Sequence, residues 1–287
     1  MSPTKTRLRA LAATAAAALT TLALAAPPTN AVDVPSDRDN RTDRTPTAAA
    51  KREGVTTANG GYLGWKTPET GNAPEAQTRL AATVAGMDVA SYQGNVNWAS
   101  WWNAGKRFAY VKATEGRYYR NPYFAQQYNG SYNIGMIRGA YHFANPNDSS
   151  GRAQAEYFVA RGGGWSRDGK TLPGVLDIEY NPYGPSCWGM SASQLVSWIR
   201  DFTTRYKQLT GRDAVIYTAY NWWSPCTGNS TAFNTTNPLW VARYSSSPGT
   251  LPGGWPFWTF WQYTSTPLDQ NYFNGSYDRL RVLANGG

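Results

Sequence analysis

From residue 86 onward, short apolar and β-branched runs alternate with longer stretches in which apolar positions recur every three or four residues. The short runs predict strands at 86–89, 108–113, 136–143, 174–178, 214–218, 239–242 and 257–263. The longer stretches predict helices at 98–103, 123–132, 153–160 and 191–209. In the last of these, Leu195, Trp198, Ile199, Phe202 and Tyr206 share one face, and Ser191 stands where an N-cap is needed. Strands that alternate with helices predict a parallel sheet joined by crossovers. The 202 residues from 86 to 287 suit a closed sheet, while the late connections are too short for a full set of helices. The expected fold class is therefore α/β: an irregular, TIM-like β/α barrel with an incomplete set of helices. An open doubly wound sheet is the competitor, but no Gly-x-Gly-x-x-Gly turn follows the first strand.

The amino-terminal third follows neither period. Lys5, Arg7 and Arg9 precede an Ala-rich run at 10–26, with candidate small-x-small cleavage triplets at Ala23-Leu24-Ala25 and Thr29-Asn30-Ala31. Residues 1–31 are expected to be a secretory signal peptide, since the run is short for a span of about 20 residues and ends at Pro27-Pro28. Residues 32–85 mix Thr, Ala, Pro and charge around isolated Tyr62, Leu63 and Trp65, and are expected to be a propeptide or flexible linker. Residues 86–287 form the barrel domain. The product is expected outside the cell, secreted and without membrane insertion. In that oxidising compartment Cys187 and Cys226 pair by default. A catalytic thiol pair lacks Cys-x-x-Cys spacing and has a single His to serve it.

Composition narrows the chemistry. One His and two Cys leave no ligands for a zinc cluster or a metal site built on several histidines, and neither a metal nor another cofactor is expected. Residues 86–287 carry 17 Lys and Arg against 11 Asp and Glu, a net +6, which favours anionic partners such as nucleic acid or cell-wall polymers. The same span holds 39 aromatic residues, and Trp101-Trp102 and Trp222-Trp223 offer flat platforms suited to sugar rings. No cluster of basic residues is interleaved with them, so nucleic acid is not the expected partner.

Polar residues at the carboxyl ends of barrel strands are the informative ones. Asp177 and Glu179 lie two apart at the end of a predicted strand, so both carboxyls point to one side. Crowded carboxyls raise one another's pKa, which keeps one protonated as a general acid. The pair is expected to face a solvent-reachable cleft. The competing reading is a strand end neutralised by Arg or Lys. Asp88 alone fits a cap or turn residue, Lys112 with Glu115 fits a surface ion pair, and His142 between aromatics fits a satisfied core histidine.

Five segments change that weighting when taken in order: Gly86-Met87-Asp88-Val89 with Tyr92-Gln93-Gly94, Tyr110-Val111-Lys112-Ala113-Thr114-Glu115-Gly116, Arg138-Gly139-Ala140-Tyr141-His142-Phe143, Leu176-Asp177-Ile178-Glu179 and Trp261-Gln262-Tyr263. Together they resemble glycoside hydrolase family 25, the Chalaropsis-type lysozymes, across nearly all of 86–287. The resemblance implies an irregular β/α barrel, acting as a monomer, that cuts the β-1,4 bond between N-acetylmuramic acid and N-acetylglucosamine in peptidoglycan. It puts Glu179 in the general-acid place, Asp177 as its partner, and Asp88 and Asp269 as further groove acids. It puts Tyr141, Lys112, Tyr92, Gln93, Tyr217, Trp240 and Gln262 along the substrate. Ala90 departs from the Ser that many members carry. A chitinase-like hydrolase and a non-catalytic peptidoglycan- or chitin-binding protein remain the alternatives.

Overall fold

A computed structural model describes residues 44–68 and 82–287. The expected signal peptide, 1–31, lies outside the described residues.

The amino-terminal described segment holds one short helix, α1 (Ala48–Arg52), capped by the Thr47 hydroxyl. The chain from residue 82 then winds a barrel. In order come β1 (Thr83–Val89), α2 (Trp98–Asn103), β2 (Phe108–Glu115), β3 (Tyr119–Arg120), α3 (Phe124–Asn133), β4 (Ile137–Phe143), α4 (Gly151–Phe158) and β5 (Val175–Asp177). They are followed by α5 (Ala192–Thr210), β6 (Val215–Thr218), α6 (Tyr220–Thr227), β7 (Leu239–Ala242), β8 (Phe260–Thr264), β9 (Gln270–Asn274) and α7 (Tyr277–Ala284).

Eight strands close the barrel in the order β1, β2, β4, β5, β6, β7, β8, β9, with β9 returning to β1 and β3 folded back on β2. Neighbours from β1 round to β8 run parallel, and β9 runs antiparallel to both β8 and β1. All seven predicted strands are present, because strands covered on both faces read as continuous apolar runs. Every residue of β2, β4, β6 and β7 is buried.

Aromatic side chains fill the barrel: Tyr110, Trp240 and Phe260 stack with ring centroids 4.9–5.9 Å apart, and Tyr217 meets Trp240 edge-on at 5.1 Å. Outside it, α5 presents Leu195, Trp198, Ile199, Phe202 and Tyr206 to the sheet, as its period requires. The Ser191 and Gln194 side chains form a capping box at its start, and Gly211 ends it in the left-handed conformation at φ 74°. Crossover helices follow β1, β2, β4, β5 and β6, whereas β7 reaches β8 through a loop with a single 3₁₀ turn at Pro252–Gly254. The set of helices is incomplete, as expected. None of the described helices is long and apolar enough to cross a membrane.

Candidate active site

Parallel strands all end at one face of a barrel, and the polar residues gather there. Asp88 comes from β1, Lys112 and Glu115 from β2, Tyr141 from β4, Asp177 and Glu179 from the end of β5, Tyr217 from β6 and Gln262 from β8. Two irregularities complete the set. A register shift between Lys112 and Thr114 inserts one residue into β2, so Glu115 returns to the side of Lys112 and the two form a buried ion pair at 2.6 Å. Because β9 runs backwards, its first residues lie at the carboxyl ends of the other strands. Asp269, just ahead of it, thus sits beside Asp88, whose N–H donates to the Asp269 carbonyl at 3.3 Å.

The four acids are deeply buried, with exposures of 1% for Asp88, 0% for Asp177, 2% for Glu179 and 7% for Asp269. Among the described residues neither an Arg nor a Lys forms an ion pair with any of them, Lys112 being paired with Glu115 instead, which counts against the neutralised strand-end reading. Burial pushes the Glu179 carboxyl up to about 8, and burial followed by the facing Glu179 charge raises Asp177 well above the carboxylate range. Lys112 pulls both down. Neither Asp177 oxygen has a protein donor, while Glu179 Oε1 accepts the Gly64 N–H at 2.7 Å. The Gly64 amide favours the charged form of Glu179, but burial outweighs it, so both carboxyls stay above the ordinary carboxylate range.

Asp88 is held from one side. Its Oδ2 accepts from Gln262 at 3.0 Å and Asn271 at 2.6 Å, and burial outweighs both to raise it to about 7. Gln262 Oε1 accepts in turn from the Tyr217 hydroxyl at 2.6 Å and the Tyr244 hydroxyl at 3.1 Å. Burial, then the charges of Asp88 and Glu179, raise Asp269 well above its ordinary value. Such a cluster keeps protons on acids near neutral pH and has the parts for acid catalysis on a neutral substrate.

The cleft expected above the acids is filled by the chain itself. Residues 60–65 cross it: the Gly64 amide meets Glu179, the Gly61 amide meets Glu115, and Asp177 is fully buried beneath them. This segment lies in the span read as propeptide or flexible linker, where its apolar residues showed no period. Leu63 and Trp65 are nevertheless buried, at 0% and 4% exposure.

A model of glycosyl hydrolases family 25 matches residues 87–271. The chain belongs to that family. The matched span starts one residue before Asp88, ends at Asn271, and so holds all four acids and the amides that serve Asp88. Lysozyme M1 of Streptomyces globisporus is 53% identical over 210 residues, covering 70% of this chain and 71% of the relative. An N,O-diacetylmuramidase of Chalaropsis is 53% identical over 211 residues, covering 71% of this chain and all of the relative. The solved lysozyme of Streptomyces coelicolor superposes with a TM-score of 0.70 at 52% identity, covering 73% of this chain and 99% of its own.

Within this family 25 barrel the sequence-expected residues divide. Tyr141 stands among Asp88, Asp177 and Asp269, with its hydroxyl against the Leu63 backbone. Tyr92 donates to the Gly60 carbonyl at 2.6 Å, and Lys112 to that of Gly61. Gln93 does not face the acids: its Oε1 accepts the Ala90 N–H at 2.8 Å and closes the turn after β1. Trp240 is fully buried inside the barrel, where it supports the site from below: Asn271 Oδ1 accepts its indole N–H at 2.9 Å, and its ring packs edge-on against Tyr217. The tryptophan platforms are not groove walls either. Trp222 and Trp223 lie on the buried side of α6, and Trp102 on α2 is stacked by Arg107 at 4.1 Å.

His142 is a satisfied core residue, with Thr114 Oγ1 at 2.8 Å, Gln154 Oε1 at 2.9 Å, and burial lowering it to about 3. Cys187 and Cys226 are bonded and tie the loop after β5 to α6. Asn271, Tyr244 and the Tyr118 and Tyr183 hydroxyls that donate to Glu115 were missed from sequence. The signal for Asn271 was its place two residues beyond Asp269.

Proposed function

We propose that the chain is a secreted N-acetylmuramidase that cuts the β-1,4 bond between N-acetylmuramic acid and N-acetylglucosamine in peptidoglycan. The observation that carries this reading is the contact between the Asp177 and Glu179 carboxyls at the barrel's carboxyl-terminal face, flanked by Asp88 and Asp269. The muramidases and lysozymes to which the chain is similar support the substrate. The basic run at Lys5, Arg7 and Arg9, and the Cys187–Cys226 bond, support export.

In the proposed reaction Glu179 carries the proton and gives it to the leaving glycosidic oxygen as that bond breaks. The carbonyl oxygen of the substrate's own 2-acetamido group forms the new bond to the anomeric carbon. Asp177, ionised, orients the acetamido N–H and stabilises the positive charge of the oxazolinium intermediate. Water, giving its proton to Glu179, then opens that ring with net retention. Two carboxyls that share a proton cannot flank a sugar ring from opposite faces, where about 5–9.5 Å is required, and this supports assistance from the substrate.

The test uses residues 82–287, a length that accounts for the whole of a solved relative. Mass spectrometry of digested peptidoglycan is expected to show fragments with N-acetylmuramic acid at the new reducing end. Fragments ending in N-acetylglucosamine, or none from peptidoglycan and many from chitin, contradict the reading. NMR of the first product follows the anomer, and an inverted product rules out the assisted route.

A further inference from the structure

Residues 59–65 read Asn-Gly-Gly-Tyr-Leu-Gly-Trp and lie across the carboxyl ends of the barrel strands. Their backbone is engaged by the groups that line the groove. The Gly60 carbonyl accepts from Tyr92, the Gly61 N–H donates to Glu115 Oε2 at 2.9 Å, and the Gly61 carbonyl accepts from Lys112. The Gly64 N–H donates to Glu179 Oε1 at 2.7 Å. Leu63 packs with Tyr141, Tyr217 and Trp240 at the mouth of the barrel.

The fit depends on glycine. A methyl group added to Gly60 would overlap the Glu115 carboxylate, one on Gly61 the Phe143 ring, and one on Gly64 the Tyr244 hydroxyl. Gly60 and Gly64 also hold φ of +69° and +75°, where side chains are disfavoured. On either side the segment is anchored. Arg44 pairs with Asp148 and stacks on Tyr118 at 4.0 Å, the Thr47 N–H donates to the Pro182 carbonyl at 2.8 Å, and the Trp65 indole to the Tyr180 carbonyl at 3.0 Å.

We infer that residues 44–68 are a built-in inhibitor, which occupies the catalytic groove in place of the glycan and keeps the chain inactive until it is displaced. The inference rests on the hydrolase reading for what is inhibited, and on contacts of the segment for how. An N-acetyl sugar presents an amide N–H and an amide carbonyl; Gly61 presents the same pair to Glu115 and Lys112. The Gly64 amide acts directly on the site, because it occupies Glu179 Oε1 and so stands where a glycosidic oxygen would have to approach the acid. The barrel is complete without the segment. The Chalaropsis relative is matched over its whole length by 71% of this chain, about the share that 82–287 represents.

Three preparations test this: the full chain, the full chain with Leu63→Asp and Gly64→Val, and residues 82–287. A synthetic peptide of residues 44–68 is the probe added to the last. Reducing ends released from peptidoglycan are expected to be on the order of 100-fold slower for the full chain than for the barrel. A tethered segment sits at an effective concentration of about 1 mM, so a peptide Kd near ~10 μM leaves roughly 1% of barrels open. The double variant is expected to run at the barrel's rate, and the peptide to inhibit the barrel saturably and bind it by calorimetry. Equal rates for full chain and barrel, or no peptide binding, overturn the inference. A barrel that binds the peptide but releases no reducing ends upholds the seat in the groove and removes the hydrolase reading instead.

Discussion

Asp88 has one oxygen held by two amides and another, Oδ1, without an amide or hydroxyl donor among the described residues. Its two donors belong to a chain of hydrogen bonds: the Tyr217 and Tyr244 hydroxyls donate to Gln262 Oε1, the Gln262 and Asn271 amides donate to Asp88 Oδ2, and the Trp240 indole donates to Asn271 Oδ1. Each amide must present its N–H to the carboxyl, so the tyrosine hydroxyls determine which way Gln262 faces. Gln262→Met is of similar size and breaks the chain in the middle. It leaves two buried hydroxyls without their acceptor and removes one of the bonds that hold Asp88 down. The expected cost is about 2–4 kcal/mol in a urea melt, with the apparent pKa of Asp88 moved upward in the pH profile of kcat/KM. An unmoved profile with a weakened fold would make Gln262 structural only.

Element by element, β9 decides how the site is assembled. Its sequence, Gln270-Asn271-Tyr272-Phe273-Asn274, is half polar and was not read as a strand, yet it closes the barrel and brings in Asp269 and Asn271. An antiparallel closing strand has no crossover helix to announce it, which is why the sequence pattern passed over it. The α6 helix, with Pro225 inside it and no clear period, was equally invisible, whereas α2 matched its expected bounds residue for residue.

The segment at 44–68 was illegible for a different reason: it is held by backbone bonds and by isolated buried side chains, Ala50, Val55, Leu63 and Trp65, and neither leaves a period in the sequence. Its hold on the groove should depend on pH. Around Asp88 and Glu179 stand Lys112 from β2, Tyr141 from β4, Asp177 from β5, Tyr217 from β6, Tyr244 after β7, Asp269 before β9 and Tyr62 from the segment. Burial raises Asp88 to about 7 and Glu179 to about 8 in the closed form, so closing takes up protons and opening releases them. Closure is therefore strongest below those values and weakens as pH rises through them, by up to about tenfold per pH unit for one proton. The rate of the full chain relative to residues 82–287 is expected to rise between about pH 6 and pH 9. A flat or falling ratio contradicts the linkage.

At the scale of the whole molecule, the barrel is held by an aromatic interior, a helical layer centred on α5, and one covalent tie outside both. The Cys187–Cys226 bond spans 39 residues that include all of α5 and β6. Closing a loop of that length restricts the unfolded chain by about 4 kcal/mol. The paired substitution Cys187→Ala with Cys226→Ala should lower stability by roughly that amount in a denaturant titration. Peptidoglycan hydrolysis by residues 82–287 should persist, because neither sulfur touches the acids. Loss of activity in a protein that still folds would place the bond in the site's architecture. The seven expected strand runs, the α5 face and the Asp177–Glu179 pair were readable from residue order, since each follows from burial or strand-end position, whereas Asp88 and Asp269 entered as site acids only through the family resemblance. What covers the acids was not.

The central claim is that Glu179 supplies the proton for glycosidic cleavage. Its most direct test is the turnover of residues 82–287 carrying Glu179→Gln, assayed as reducing ends released from purified peptidoglycan, with melting temperature measured alongside. Loss of a positioned acid predicts a fall of about 10²–10⁴-fold in kcat with the melt within a few degrees of the parent. Turnover close to that of the parent barrel would contradict the assignment.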